Sequence, residues 1–257
     1  MKYVSYTVKG NKSLGVLINN NIIDVFLVSN EKIPNNMLEF LKNFEVNHTW
    51  VKNNIDEKTD YQYSLDEVIV NPPISNPTSF RDAYAFRQHV EAGRKSRGLE
   101  MIPEYDEFPV FYFSNHNSIV GPGRVDVYEK HLDGLDFELE IAIVIGKEGI
   151  NIKASDANQY IFGYTIMNDW SARGLQMKEM KLNLGPAKGK DFATSIGPCI
   201  TTIDELEQYE IGDNKYDIPL TAHINGIEKS KDNLKNMTWS FADIIERVSY
   251  GTTLYPG

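Results

Sequence analysis

"LDFELEIAIVIG", residues 135–146, fixes the architecture of the chain and raises its functional question. Asp136, Glu138 and Glu140 alternate with Phe137, Leu139 and Ile141, and the run then becomes wholly apolar through Ile145. Alternation is the period of a β-strand, so the three acids share one face, with neighbours roughly 6.5–7 Å apart. The continuation is apolar on both faces, which predicts a central strand. Carboxylates aligned where a strand enters a core raise one another's pKa and are costly to keep ionised. A bound cation removes that cost, and all-oxygen ligands suit Mg²⁺, Ca²⁺ or Mn²⁺ rather than Zn²⁺. The plain alternative is a solvated acidic face on a half-exposed strand.

The chain around this strand has 257 residues, 41% hydrophobic and 24% charged, the composition of an ordinary soluble protein with ample core. A formal net charge of −10 argues against a nucleic-acid footprint, which needs a basic face. The single Cys199 cannot form an internal disulfide and points to a reducing compartment. The opening MKYVSYTVKG has no apolar signal core, and no apolar run approaches membrane-spanning length. A cytoplasmic protein acting on a small molecule, without membrane or nucleic acid, is expected.

Outward from the acidic strand, the chain divides in two. "YVSYTV", "LGVLI" and "NIIDVFLV" read as a small β-meander, and "NMLEFLKNF" has helical spacing. "NPPISNP", residues 71–77, can hold neither helix nor central strand and reads as a linker. Beyond it "PVFYF", "YIFGYTIM", "SIGPCITT" and "YDIPLTAHING" are strand-like. The expectation is a mostly β protein with a few helices: a small β-rich domain over 1–73 and a catalytic domain over 74–257.

Two further clusters carry chemistry. In "FGYTIMNDWSARGLQ", residues 162–176, a strand runs into Asp169, and Arg173 and Gln176 follow at i+4 and i+7. On a continuing helix these three share a face, an acid, a cation and an amide suited to stabilising an anion; Asp169 could equally be a helix N-cap. In "FRDAYAFRQHVEAGRKSRG", residues 80–98, helical spacing places Asp82, Phe86 and His89 on one face, although a lone helical His is more often structural. The glycine-containing stretches match no phosphate-binding fingerprint, and there is no GxSxG.

With "LGPAKGKDFATSIGP", residues 184–198, these segments make the chain from about residue 75 onward resemble the fumarylacetoacetate hydrolase superfamily, in its motif order and spacing. The resemblance implies mixed β-sheets rolled into a sandwich, a homodimer, and a divalent metal held by Asp82, Glu138, Glu140 and Asp169. Mg²⁺ is the first expectation, with Mn²⁺ or Ca²⁺ as alternatives. Asp136 has no counterpart role and reads as structural or as a support behind the ligands. By the same likeness His89 matches a water-activating histidine, Tyr84 and Tyr112 match substrate-contacting tyrosines, and Arg173, Gln176 and Lys190 match groups that hold substrate and stabilise negative charge. Gly174 departs from the acid usual after "SAR".

The implied reaction is hydrolytic cleavage of a C–C bond in a 1,3-diketone or acylpyruvate-type 2-oxo acid. His89 would serve as base, and Lys190 and Gln176 would stabilise the oxyanion. Relatives of such a site also decarboxylate, dehydrate or isomerise 2-oxo acids, and a non-catalytic binding protein is a further alternative. The acyl substituent is not readable, because "GLEMIPEYDEFP" beside the site is irregular. In the family, the pattern "SYGTTLYPG" leads into a further strand and a carboxylate that pairs with the histidine. The expectation is therefore that the native chain continues past Gly257 by a few tens of residues.

Overall fold

A computed structural model of the chain describes residues 1–212 and 214–257. It is mostly β, as the sequence predicts, and is organised on one mixed ten-stranded sheet. The meander forms its N-terminal side. Lys2–Val8 pairs antiparallel with Asn11–Ile18, and that strand pairs with Asn21–Asp24. The strand expected over residues 21–28 stops at Asp24. The Asp24 carboxylate accepts a hydrogen bond from the Leu27 N–H at 2.8 Å and caps the short helix Val25–Val28, so a polar cap overrides the β propensity of "VFLV".

The stretch around "NMLEFLKNF" forms two helices. Met37–Leu41 is capped by Asn36, and Phe44–Asn54 follows. They cover the sheet with Met37, Phe40 and Leu41, and Phe40 meets Tyr3 at a ring separation of 4.9 Å. Each large side chain fully buried this way contributes about 1.5–3 kcal/mol.

The two segments expected from the sequence share this sheet and this core. Lys2–Val8 pairs with Ile200–Thr202, and Tyr3, Leu14 and Val16 pack with Val144, Phe162 and Ile200. Next to Ile200–Thr202 lies the long strand Ile161–Asp169, which also pairs with Thr194–Ile196 and with Leu139–Ile145. Thr194–Ile196 pairs parallel with Ile119–Val120.

The acidic strand departs from expectation in two ways. It is broken into Leu135–Asp136 and Leu139–Ile145, and the longer piece has one hydrogen-bonded neighbour among the described residues, so it is not central. Its two apolar faces have another origin. Ile141, Ile143 and Ile145 pack toward the cluster holding Ile245 and Val248 of helix Phe241–Ser249, whereas Val144 joins the core with Phe162. Cover by a helix on one side and by the main core on the other produces the same sequence pattern as two flanking strands. No helix among the described residues is long and apolar enough to cross a membrane.

Candidate active site

A cavity of about 1210 Å³ opens along the acidic strand, and every candidate residue named above except Asp169 lies on its wall. Asp169 is fully buried just behind it. Asp82, Glu140 and Asp169 each bring a carboxylate oxygen to within 4.8 Å of the others. The fold assembles these three from separate strands. Asp82 sits on Arg81–Ala83, Glu140 on Leu139–Ile145, and Asp169 ends Ile161–Asp169.

Both local helix readings are therefore corrected. Residues 81–83 are extended and pair with Phe111–Phe113, and helix Arg87–Lys95 begins only after Phe86. Asp82 and His89 thus approach the cavity from different elements. Asp169 is not a helix cap either, because helix Arg173–Glu179 starts after Ala172 with no side-chain cap. Asp169 instead pairs in register with Thr194.

Glu138, the fourth expected ligand, lies in the break between the strand pieces, where its N–H donates to Asn168 Oδ1 at 3.1 Å. Its carboxylate is held by two cations: Lys190 Nζ lies 2.6 Å from Oε2 and Arg173 Nη1 lies 2.9 Å from Oε1. Lys190 also reaches Asp169 Oδ2 at 2.7 Å. The Lys190 residue is only 3% exposed, so its charge depends on these acids. Helix Ala187–Lys190 delivers it by packing against helix Arg173–Glu179 at Gly189, where a Cβ would stand 2.6 Å from Gln176 Cβ.

Arg173 is held from behind. Asp136 takes its Nε and Nη2 through Oδ2, each at 2.9 Å, which gives this acid the structural role expected of it. Arg173 Nη1 also donates to Gln176 Oε1 at 2.9 Å, which leaves the Gln176 amide nitrogen as a donor. Gly174 has a local explanation: its N–H donates to Asp133 O at 2.9 Å, and a Cβ there would stand 2.2 Å from Asp133 Oδ2. The glycine lets the loop before Asp136 close onto Arg173.

Electrostatically the site is lopsided. Burial would raise the Glu138 carboxyl, but Lys190 and Arg173 outweigh it and hold the pKa below its ordinary value. Burial and the Asp169 charge push Asp82 up to about 8. Burial together with Asp82, Glu138 and Asp169 drives Glu140 well above its usual range. Burial alone would lower Lys190, yet Asp169 and Glu138 raise it, so the ammonium persists. Four acids face one buried ammonium and one guanidinium shared with Asp136. That excess negative charge, concentrated on three converging oxygens, fits a divalent cation with hard-oxygen preference. Asp82, Glu140 and Asp169 are the residues placed to hold it, with Glu138 beside them.

His89 and Tyr84 also line the cavity, ring centroids 6.5 Å apart and edge to face. Among the described residues no side chain hydrogen-bonds the His89 ring. Tyr112 behaves differently from Tyr84: its hydroxyl lies 3.0 Å from Asp82 Oδ2 and 2.8 Å from Asp169 Oδ2.

Residues 78–257 match the fumarylacetoacetate (FAA) hydrolase C-terminal family. The chain belongs to the fumarylacetoacetate hydrolase family. It is 30% identical over 239 residues to the oxaloacetate tautomerase YisK of Bacillus subtilis (strain 168), an alignment that covers 88% of this chain and 74% of that protein. Its fold matches maleylpyruvate hydrolase from Sphingobium sp. SYK-6, solved with manganese(II) and pyruvate, with a TM-score of 0.74 and 20% identity over 100% of this chain and 86% of that one. The fumarylacetoacetate hydrolase of psychrophilic Exiguobacterium antarcticum matches with a TM-score of 0.69 and 25% identity over 99% and 83%. Proteins with hydrolase and tautomerase names thus share this family and fold.

Three contributors to the site are absent from the sequence reading: Asn168, which pins the Glu138 backbone; Thr194, whose hydroxyl lies 3.4 Å from Asp169 Oδ1; and Asp133, which seats Gly174. Asn168 stood beside Asp169 in the motif and could have been found there. Thr194 and Asp133 gain their roles only through long-range pairing.

Proposed function

We propose that this chain is a divalent-metal-dependent enzyme that hydrolyses a C–C bond in an acylpyruvate-type 2-oxo acid or related 1,3-diketone. The observation that carries the reading is a converging trio of acids, Asp82, Glu140 and Asp169, flanked by a buried lysine, in a cavity that a histidine also lines. Mg²⁺ is the first candidate, with Mn²⁺ or Ca²⁺ as alternatives, and Glu138 completes the acid set. When bound, the cation supplies Lewis acidity to substrate carbonyl oxygens.

The side chains supply the rest. His89 takes a proton from water as the water oxygen bonds to the carbonyl carbon. An ammonium carries three protons. Glu138 and Asp169 engage two of those on Lys190, which leaves one for the developing oxyanion beside the Gln176 amide. When the C–C bond breaks, its electron pair stays with the departing 2-oxo acid fragment, and the His89 imidazolium returns the proton to that carbon. Arg173 and Asp136 keep Glu138 and Gln176 in place, and Tyr84 lines the substrate side.

A second reading is tautomerisation of an oxaloacetate-like acid, favoured by the identity to a protein of that name over 88% of the chain. A panel of acylpyruvates and oxaloacetate, assayed with Mg²⁺ or Mn²⁺, separates the two. Release of pyruvate from an acylpyruvate supports hydrolysis. Accelerated keto–enol exchange without cleavage supports the tautomerase reading. No turnover with any of them overturns both. Homodimeric assembly belongs to the same proposal and is tested by sedimentation.

A further inference from the structure

Tyr112 stands directly opposite Asp82 in the antiparallel pair formed by Arg81–Ala83 and Phe111–Phe113. Directly opposed side chains on such a pair have Cβ atoms about 4.5–5.5 Å apart, so register alone brings the ring beside the carboxylate. The hydroxyl then reaches a second acid from a different strand, Asp169, whose Oδ2 is 2.8 Å away. Tyr112 thus ties together two of the three acids that converge within 4.8 Å. Among the described residues it is the hydrogen-bond donor to the Asp82 carboxylate, and it leaves Asp82 Oδ1 without one. Asp169 is more fully engaged, by Tyr112 and Lys190 on Oδ2 and by Thr194 on Oδ1.

A phenol donates one proton and, between two carboxylates, can serve either of them. A hydroxyl committed in this way is poorly placed to reach a substrate.

We infer that Tyr112 is a positioning residue that fixes the Asp82 and Asp169 carboxylates for cation binding, rather than a group that contacts substrate. This rests on the metal-dependent reading above and gives the two cavity tyrosines different tasks, Tyr84 facing substrate and Tyr112 facing the acids. Loss of a partner that orients a metal ligand typically costs 10–100-fold in metal affinity.

The test is calorimetric titration of Mn²⁺ and Mg²⁺ into substrate-free wild type, Tyr112→Phe and Tyr84→Phe. Tyr112→Phe is expected to weaken metal binding by at least about tenfold. Tyr84→Phe should leave it unchanged. At saturating Mn²⁺ the Tyr112→Phe enzyme should keep a wild-type KM for the best substrate of the panel, whereas Tyr84→Phe should raise it. Unchanged metal affinity with a raised KM in Tyr112→Phe overturns the inference and makes Tyr112 a substrate contact. Wild-type protein that binds neither ion overturns the metal-dependent reading itself, and that result is seen before any variant is made. Should Tyr112→Phe fail to fold, the near-ultraviolet tyrosine difference spectrum on adding Mn²⁺ to Tyr84→Phe protein decides. A perturbed tyrosine band supports the assignment, and a silent one overturns it.

Discussion

Two polar clusters stand along the strand Ile161–Asp169, one beside Thr202, whose register partner is Gly163, and one at Asp169, and their charges are arranged differently. Around Asp204 the charges balance: Lys52 Nζ lies 2.6 Å from the carboxylate, and the N-terminal ammonium lies 4.0 Å from it and 2.8 Å from Glu205, while His48, whose pKa burial lowers, stands 3.6 Å away. Tyr3 closes the group through His48 Nδ1 at 2.8 Å. Burial would push the Asp204 carboxyl up, but Lys52, Thr202, the N-terminal ammonium and His48 hold it well below the usual range. In the candidate active site the acids outnumber the cations, and Asp82 and Glu140 are pushed up. A cluster whose charges are satisfied by the chain itself is structural. One that the chain leaves over-charged is stabilised by what binds to it. The difference separates site from scaffold without any motif.

The largest effects should come from two amides on one strand. Glu140→Gln removes a charge from the crowded group, and Glu138→Gln removes one that Lys190 and Arg173 need. Both are expected to abolish metal-dependent turnover. Their metal-free stabilities should move in opposite directions: Glu140→Gln raises the melting temperature in chelator, whereas Glu138→Gln lowers stability by roughly 1–3 kcal/mol by leaving charged donors short of an acceptor. Thermal melts in EDTA check the signs. Two shifts of the same sign would mean that the two acids are not electrostatically distinct.

Next comes His89→Ala, expected to lower kcat by about 10²–10⁴ with metal affinity unchanged. The histidine belongs to neither cluster, so a loss of metal binding on titration would redraw the ligand set around it.

How much of this was legible differs from residue to residue. Glu138 and Glu140 were readable because period-2 spacing survives translation into a strand. The break at Phe137–Glu138 was not, since it arises where Glu138 turns toward Lys190, 52 residues away in sequence. Asp82 was read onto the wrong element. The spacing from Asp82 to His89 suits a helix, and only pairing with Phe111–Phe113 makes residues 81–83 a strand. The apolar run after Glu140 suggested a central strand because sequence reports burial and not what does the burying. Helix Phe241–Ser249, which supplies much of that cover, carried a readable signal in its Ser240–Asp243 capping box.

Metal-free protein offers a third test, in which pH tilts the comparison. Asp82 has a folded pKa near 8, against about 3.9 unfolded, so between those values the folded state holds a proton that the unfolded state has lost. Stability from this group is therefore present below about pH 4 and lost as pH rises toward 8. In EDTA the melting temperature should fall across that window. Metal should reverse the fall, adding about 2.7 kcal/mol at a hundredfold excess over its Kd. Differential scanning calorimetry at pH 5 and 8, with and without Mn²⁺, measures both. A metal effect as large at pH 5 as at pH 8 would show that protons and cation do not compete for these acids.

The smallest effect is expected at the balanced cluster. Asp204 has a depressed folded pKa, so its contribution is present above the unfolded value near 3.9 and lost as pH falls below it, opposite in sign to Asp82. The pair with Lys52 is half open to solvent, which screens it. Asp204→Asn should therefore cost about 1 kcal/mol or less near neutral pH. It should cost nothing in strong acid, where the wild-type carboxyl is protonated as well. The metal affinity should not change, because among the described residues no hydrogen bond or ion pair links the cluster to the cavity acids. Melts of wild type and Asp204→Asn from pH 2 to 8 give the two slopes separately. If the substitution weakened metal binding, the two clusters would be coupled through the sheet, and the separation of scaffold from site would fail.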